Sequence, residues 1–222
     1  MYNTQFQCPF SAIISGPSNT GKSTLLFNIL QCQDYLFSEK PEKVFLFYKK
    51  HQFIYNEMLK LNLVHELIEI EDDMISENEF LKLVSPYKNS SGSLCLFDDC
   101  LEDINETNSK IFTKISHHEK CNVIFLTQNL FADNKHYRVM SRNATYIIIM
   151  KNPRDISQVK IFANQMGVGE NLLLEAYKTA TKKAYSYLLI DLHPTTPEHI
   201  RLRTNIFPHE MPMTVFMQKN AV

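Results

Sequence analysis

Glycine is scarce in this chain, with five residues among 222. No apolar run approaches the roughly 20 residues that a membrane-spanning helix needs, which excludes such a span. The opening MYNTQFQCPF has neither a basic start nor an apolar stretch, so no secretory signal peptide is expected. Neither sign of charge prevails: 23 Lys and Arg stand against 24 Asp and Glu. That balance argues against a simple basic coat for nucleic acid, though not against DNA held in a small channel. Internal repeats, heptads, low-complexity blocks and dividing linkers are absent. A single domain over 1–222 is therefore expected, its core spanning about 8–207 with a short C-terminal tail. The five cysteines, Cys8, Cys32, Cys95, Cys100 and Cys121, are odd in number and scattered, which speaks against a disulfide framework. Reduced, structural thiols in a cytosolic or nuclear setting fit better. The 44% of apolar residues is ordinary for a globular protein, and a chain of this length can build a core without staples.

Apolar runs alternate with helix-like patterns. FSAII (10–14), KVFLFY (43–48), LCLFDD (94–99), NVIFLTQ (122–128), TYIIIMK (145–151) and YSYLLIDL (185–192) read as strands. HIRLRTNIF (199–207) reads as a last edge strand, and VHELIEI (64–70) as a short strand or a helix end. Helical spacing covers 52–63, 77–84, 106–120 and 171–180, and Pro153 reads as the start of a helix through Met166. Continuous apolar strands between helices imply a mainly parallel sheet covered on both faces, an α/β fold. The tail after Pro208 is weakly patterned.

Two of the few glycines fall in IISGPSNTGKSTLLFNIL, between a strand and a helix. Gly16, Pro17, Ser18, Asn19, Thr20, Gly21, Lys22 and Ser23 fit G-x-x-x-x-G-K-S/T at every fixed position, with Thr24 following. Such a loop turns its N–H groups inward around phosphate oxygens, at the positive end of the helix that follows. Lys22 would reach the β- and γ-phosphates of ATP, and the Ser23 hydroxyl would ligate Mg²⁺.

A bound Mg–nucleotide needs an acid at a strand's C-terminal end. LCLFDD supplies Asp98 for the metal shell and Asp99 to orient or deprotonate water, unless the two acids only cap a turn. The next strand ends in Thr127 and Gln128, and an amide there can place the attacking water. Arg142 and Arg138, ahead of Arg154, are candidates to stabilise transition-state charge, the plainer role of each being a surface salt bridge. SHHEKC (116–121) is a helix end rather than a metal site, because no second ligand pair has matching spacing; His117 and His118 could still lie near the nucleotide. NKHY (134–137) lacks the acid of the guanine-reading N-K-x-D, and no D-x-x-G glycine follows the acid pair, which disfavours a Ras-like GTPase.

Taken together, GPSNTGKST, LFDD, SHHEKCNVIFLTQNLF, YRVMSRNATYIIIMKNPRD and IFANQM resemble the viral genome-packaging ATPases of the FtsK–HerA superfamily. The likeness is greatest to those of Polinton (Maverick) elements, adintovirus-type viruses and virophages, with poxvirus packaging ATPases more distant. It covers about 10–166, and FLTQNLF with KNPRD is more specific than the phosphate loop. The resemblance implies a RecA-like P-loop core, a three-layer sandwich with an extra strand between the two Walker strands. It implies a ring, hexamer or pentamer, that hydrolyses ATP to pump double-stranded DNA into a preformed capsid, with capsid or portal proteins as partners. Host cytoplasm or nucleus, and the virion, are the implied locations. Carried over by position, Lys22 and Ser23 bind phosphate and Mg²⁺, Asp98 is the Walker B acid, Asp99 the catalytic acid and Gln128 the sensor. The superfamily often has glutamate where Asp99 stands. Lys49, Lys50 and His51, and Lys182 with Lys183, are candidate DNA contacts or plain solvated charges. A nucleoside or nucleotide kinase and a non-catalytic, nucleotide-gated assembly factor are the alternatives that the sequence leaves open.

Overall fold

The computed structural model describes residues 3–70, 74–100, 104–130, 134–154, 156–166 and 170–218. Among them the elements run β1 (Ser11–Ser15), α1 (Lys22–Gln31), α2 (Gln33–Leu36), β2 (Lys43–Tyr48), α3 (Phe53–Lys60), β3 (Glu66–Glu69) and α4 (Glu77–Val84). Then follow β4 (Ser93–Asp98), α5 (Glu106–Lys110), a π-helical turn (Ile111–Ile115), α6 (Ser116–His118), β5 (Cys121–Thr127) and α7 (Lys135–Asn143). The chain continues with β6 (Tyr146–Met150), α8 (Ser157–Met166), α9 (Glu170–Ala180), β7 (Tyr187–Asp191), β8 (Leu202–Thr204) and β9 (Thr214–Phe216).

One nine-stranded sheet runs in the order β3-β2-β4-β5-β1-β6-β7-β8-β9. The first six strands in that order are parallel, and β7, β8 and β9 continue antiparallel. β5 pairs with both β1 and β4, so a strand does separate the two that end at the glycine loop and the acid pair.

The strand alternation explains why the apolar runs are unbroken. Ile13, Phe47, Phe97, Val123, Phe125 and Ile147 face one core; Ala12, Ile14, Leu46, Leu96, Ile124 and Ile148 face the other. Successive side chains point to opposite faces, and both faces are covered, so no position can be polar without cost. Where the strands begin, Asn122 is buried yet satisfied: it accepts from the Phe10 N–H (3.0 Å) and donates to the Ser93 carbonyl (3.4 Å).

Several expectations change. 64–70 resolves as the edge strand β3 rather than a helix end. Pro153 does not open the following helix: α8 begins at Ser157, and Asp155 lies outside the described residues. Helix α7 follows no apolar stripe visible in the sequence, because only Tyr137 and Met140 of its nine residues are buried. Of 199–207 only Leu202–Thr204 is strand, and it is not at the edge, because Thr214–Phe216 in the supposed tail pairs beside it as β9. Those short antiparallel strands have too few residues to show a periodicity.

Candidate active site

In the parallel strands the C-terminal ends share one rim, and the loop 16–21 leaves β1 there. Gly16 needs to be glycine because a Cβ would come within 2.6 Å of Met150 Cβ. Gly21 adopts φ 94°, the left-handed conformation that favours glycine, and starts α1 with no side-chain cap. The first-turn N–H groups of a helix have no intrahelical acceptor, and no acidic residue stands among them here, so the end is open to an anion. Thr20 braces the loop by donating to the Pro17 carbonyl at 2.7 Å.

Lys22 Nζ donates to the carbonyls of Gly16 (2.7 Å) and Pro17 (3.1 Å). Burial pushes its pKa down, opposed by the nearby charges of Asp98 and Asp99. The ammonium is held against its own loop, and a phosphate would have to take over those bonds.

Asp98 ends β4 and is 4% exposed. Its Oδ2 accepts from Tyr55 Oη (2.7 Å), Gln52 Nε2 (3.1 Å) and Ser23 Oγ (3.3 Å). Burial raises its pKa, while the Tyr55 hydrogen bond, the Lys22 charge and the Ser23 hydrogen bond oppose the rise. Asp99 leaves the strand with φ 59°, a left-handed turn that breaks the pleat, and its side chain is exposed. Its Oδ1 accepts from Gln128 Nε2 at 3.4 Å, bringing the carboxylate and the amide together. Magnesium takes oxygen ligands at about 2.0–2.1 Å, so neighbouring ligands of its octahedron stand about 3 Å apart. The 3.3 Å between Ser23 Oγ and Asp98 Oδ2 suits that ion.

A cleft of about 630 Å³ opens between Pro17, Ser18 and Thr20 of the loop, Gln128 and Asn129 after β5, and Arg154 after β6. Its volume is in the range of small-molecule sites. Asn19 (φ 63°) and Thr24, which is exposed, complete the loop and the first turn of α1.

The arginines separate. Arg154 lines this cleft. Arg142 and Arg138 are exposed on α7, whose last residue, Asn143, accepts from Ser11 Oγ at the start of β1. Arg142 therefore lies a strand's length, roughly 13 Å, below the loop of its own chain, with Arg138 one helical turn higher. His117 and His118 end α6 just before β5 begins, at the rim opposite Gln128, which corrects the expectation that they lie near the nucleotide. Cys121 is committed to the core, its Sγ 3.6 Å from that of Cys95. In NKHY, Asn134 caps α7 and Tyr137 is buried. Sequence reasoning missed Gln52 and Tyr55, which donate to Asp98. Both sit in a stretch read only as helix, and nothing local shows that they face β4. Lys50, His51, Lys182 and Lys183 are exposed at the same rim as the loop, with Lys49 half-buried beside them.

No protein-family model matches the chain, and no curated protein matches its sequence. Its fold does match solved structures. The genome packaging NTPase B204 of Sulfolobus turreted icosahedral virus 2, in complex with ATP-gammaS, superposes with TM-score 0.56 at 12% identity over 97% of this chain and 98% of that one. B204, the DNA-packaging ATPase of Sulfolobus turreted icosahedral virus, gives 0.52 at 13% identity over 96% and 100%. The cytoplasmic domain of the Thermomonospora curvata type VII secretion ATPase EccC gives 0.51 at 12% identity, over 93% of this chain and 25% of that one. The chain thus has the RecA-like P-loop ATPase fold, and packaging ATPases of two turreted icosahedral viruses are among its structural neighbours.

Proposed function

We propose that this protein is an ATP-driven motor that moves double-stranded viral DNA into a preformed capsid. The observation that carries the reading is the meeting of Ser23 with Asp98 (3.3 Å) and of Gln128 with Asp99 (3.4 Å) on the rim where the glycine loop ends β1. The whole-chain likeness in fold to the B204 packaging enzymes, one of them bound to ATP-gammaS, supports it.

In this reading the loop amides and Lys22 bind the triphosphate, Lys22 exchanging its two carbonyl partners for phosphate oxygens. Ser23 and Asp98 would hold Mg²⁺, which would supply charge neutralisation to the bound triphosphate. Asp99, free of the strand pleat, accepts the proton of the attacking water, and Gln128 orients that water. Arg154 can meet the phosphates within its own chain. Arg142, about a strand's length below the loop of its own chain, would do so on a neighbour's nucleotide, which calls for a homo-oligomeric ring, pentamer or hexamer, with Arg138 as the second candidate. Lys49, Lys50 and His51, together with Lys182 and Lys183, contact DNA phosphates without reading sequence. Capsid or portal proteins receive the ring, in the host cytoplasm or nucleus and at the virion.

Phosphate release with and without long duplex DNA, measured alongside mass in solution, tests this. Stimulation by DNA that disappears in Lys22→Ala is expected. Turnover unchanged in that variant refutes the site. Phosphorylated nucleoside would point to a kinase, and tight ATP binding without phosphate release to a non-catalytic assembly factor.

A further inference from the structure

Tyr185 stands two residues before β7 and is 70% exposed, although it is a large aromatic residue in a left-handed backbone conformation, φ 61°. Such a conformation is disfavoured for a bulky side chain and persists where the surroundings hold it. What it touches is the phosphate loop: a Cβ on Gly21 would lie 3.1 Å from Tyr185 Cδ1. Because β7 runs antiparallel to β6, with Tyr187 opposite Met150, the segment before β7 arrives at the rim where β1 and β6 end. One edge of the ring thus rests on the loop, while most of the side chain faces solvent.

The layout of the sheet gives this position a direction. Asp98, Asp99 and Gln128 follow β4 and β5, on one side of β1; β6 and β7 lie on the other. A triphosphate whose terminal phosphate met the acids and the amide would run across the loop and carry its ribose and base toward the β6–β7 side. We infer that Tyr185 is the platform on which the base of the bound nucleotide stacks, a recognition contact separate from the phosphate loop. The inference rests on the proposed nucleotide site and adds the part of the ligand that the glycine motif does not read. Stacking on a flat ring tolerates any base, so Tyr185 contributes affinity for a nucleoside over bare phosphate rather than a choice among bases.

Calorimetry with ATP and with inorganic tripolyphosphate, each with Mg²⁺, separates the two parts of the ligand. Tyr185→Ala is expected to weaken ATP binding about tenfold or more while leaving tripolyphosphate unchanged, and Tyr185→Phe to bind both like the wild type. Equal losses for both ligands would mean that the ring only shapes the loop, and an undiminished ATP affinity would mean that it touches no base; either overturns the proposal. Loss of duplex DNA binding with ATP affinity intact would overturn it too and assign the ring to the nucleic acid. Wild-type protein that binds neither ligand would instead bring down the phosphate-loop reading beneath it.

Discussion

Asp98 is a buried acid at the end of β4. Its Oδ2 takes three donors at once, so a metal at that oxygen has to displace or share them. Tyr55→Phe removes the shortest of the three, at 2.7 Å. A buried hydrogen bond to a charged group is worth about 1.5–3 kcal/mol, so a stability loss of about that size is expected in urea unfolding. The pH response follows from burial. The folded pKa of Asp98 is raised, so the folded state keeps a proton that the unfolded chain has lost. The contribution to stability is then full below the ordinary carboxylate pKa and is lost as pH rises through the raised value. Asp98→Asn should flatten that part of the pH–stability curve, read from urea midpoints from mild acid to neutrality; a slope unchanged in the variant would contradict the assignment.

Among the elements, the antiparallel strands β7 and β8 hold a buried ion pair. Arg203 Nη2 meets Asp191 Oδ2 at 2.6 Å with both side chains almost fully enclosed. Asp191 Oδ1 also accepts from the His193 N–H and the Thr196 hydroxyl, both at 3.0 Å. Removing one partner strands the other charge, so Asp191→Ala should cost about 3–5 kcal/mol in equilibrium unfolding. Replacing both with apolar residues of similar volume should recover much of the loss, since the penalty is mainly that of an unpaired buried charge. The same region shows where pattern reading fails. Parallel strands such as LCLFD and CNVIFLT are readable because both faces are covered and their middle positions, LCLF and VIFL, are unbroken apolar runs. β8 and β9 have three residues each, and Arg203 points inward, so burial is satisfied by charge pairing that no hydropathy pattern reports. Helix α7 is hidden for the opposite reason, since it presents only Tyr137 and Met140 to the core.

For the molecule as a whole, the two rims of the sheet divide the candidate chemistry. The glycine loop, the acids, Gln128 and Arg154 share one rim, whereas Arg142 adjoins the other. If Arg142 serves the reaction, it serves a neighbouring copy. Mixing Lys22→Ala chains, which keep Arg142, with Arg142→Ala chains, which keep the loop, should then restore part of the DNA-stimulated turnover that each lacks alone. An arginine supplied in trans is worth roughly 10³–10⁵ in rate, so the recovery would be large. Arg154→Ala should lower turnover without any rescue by mixing with Lys22→Ala.

The amino-acid sequence alone determined that this is an α/β chain with a glycine turn between a strand and a helix, because glycine placement and unbroken apolar strands are local consequences of backbone sterics and two-sided burial. It also singled out Asp98, Asp99 and Gln128, since they stand at the ends of the strand-like runs LCLFDD and NVIFLTQ. Tertiary structure alone decided which groups meet. Strand order sets β5 between β1 and β4, the fold of α3 brings Gln52 and Tyr55 to Asp98, and the antiparallel return of β7 lays Tyr185 on Gly21. Contacts between residues tens of positions apart depend on how the elements pack, and no local spacing encodes that.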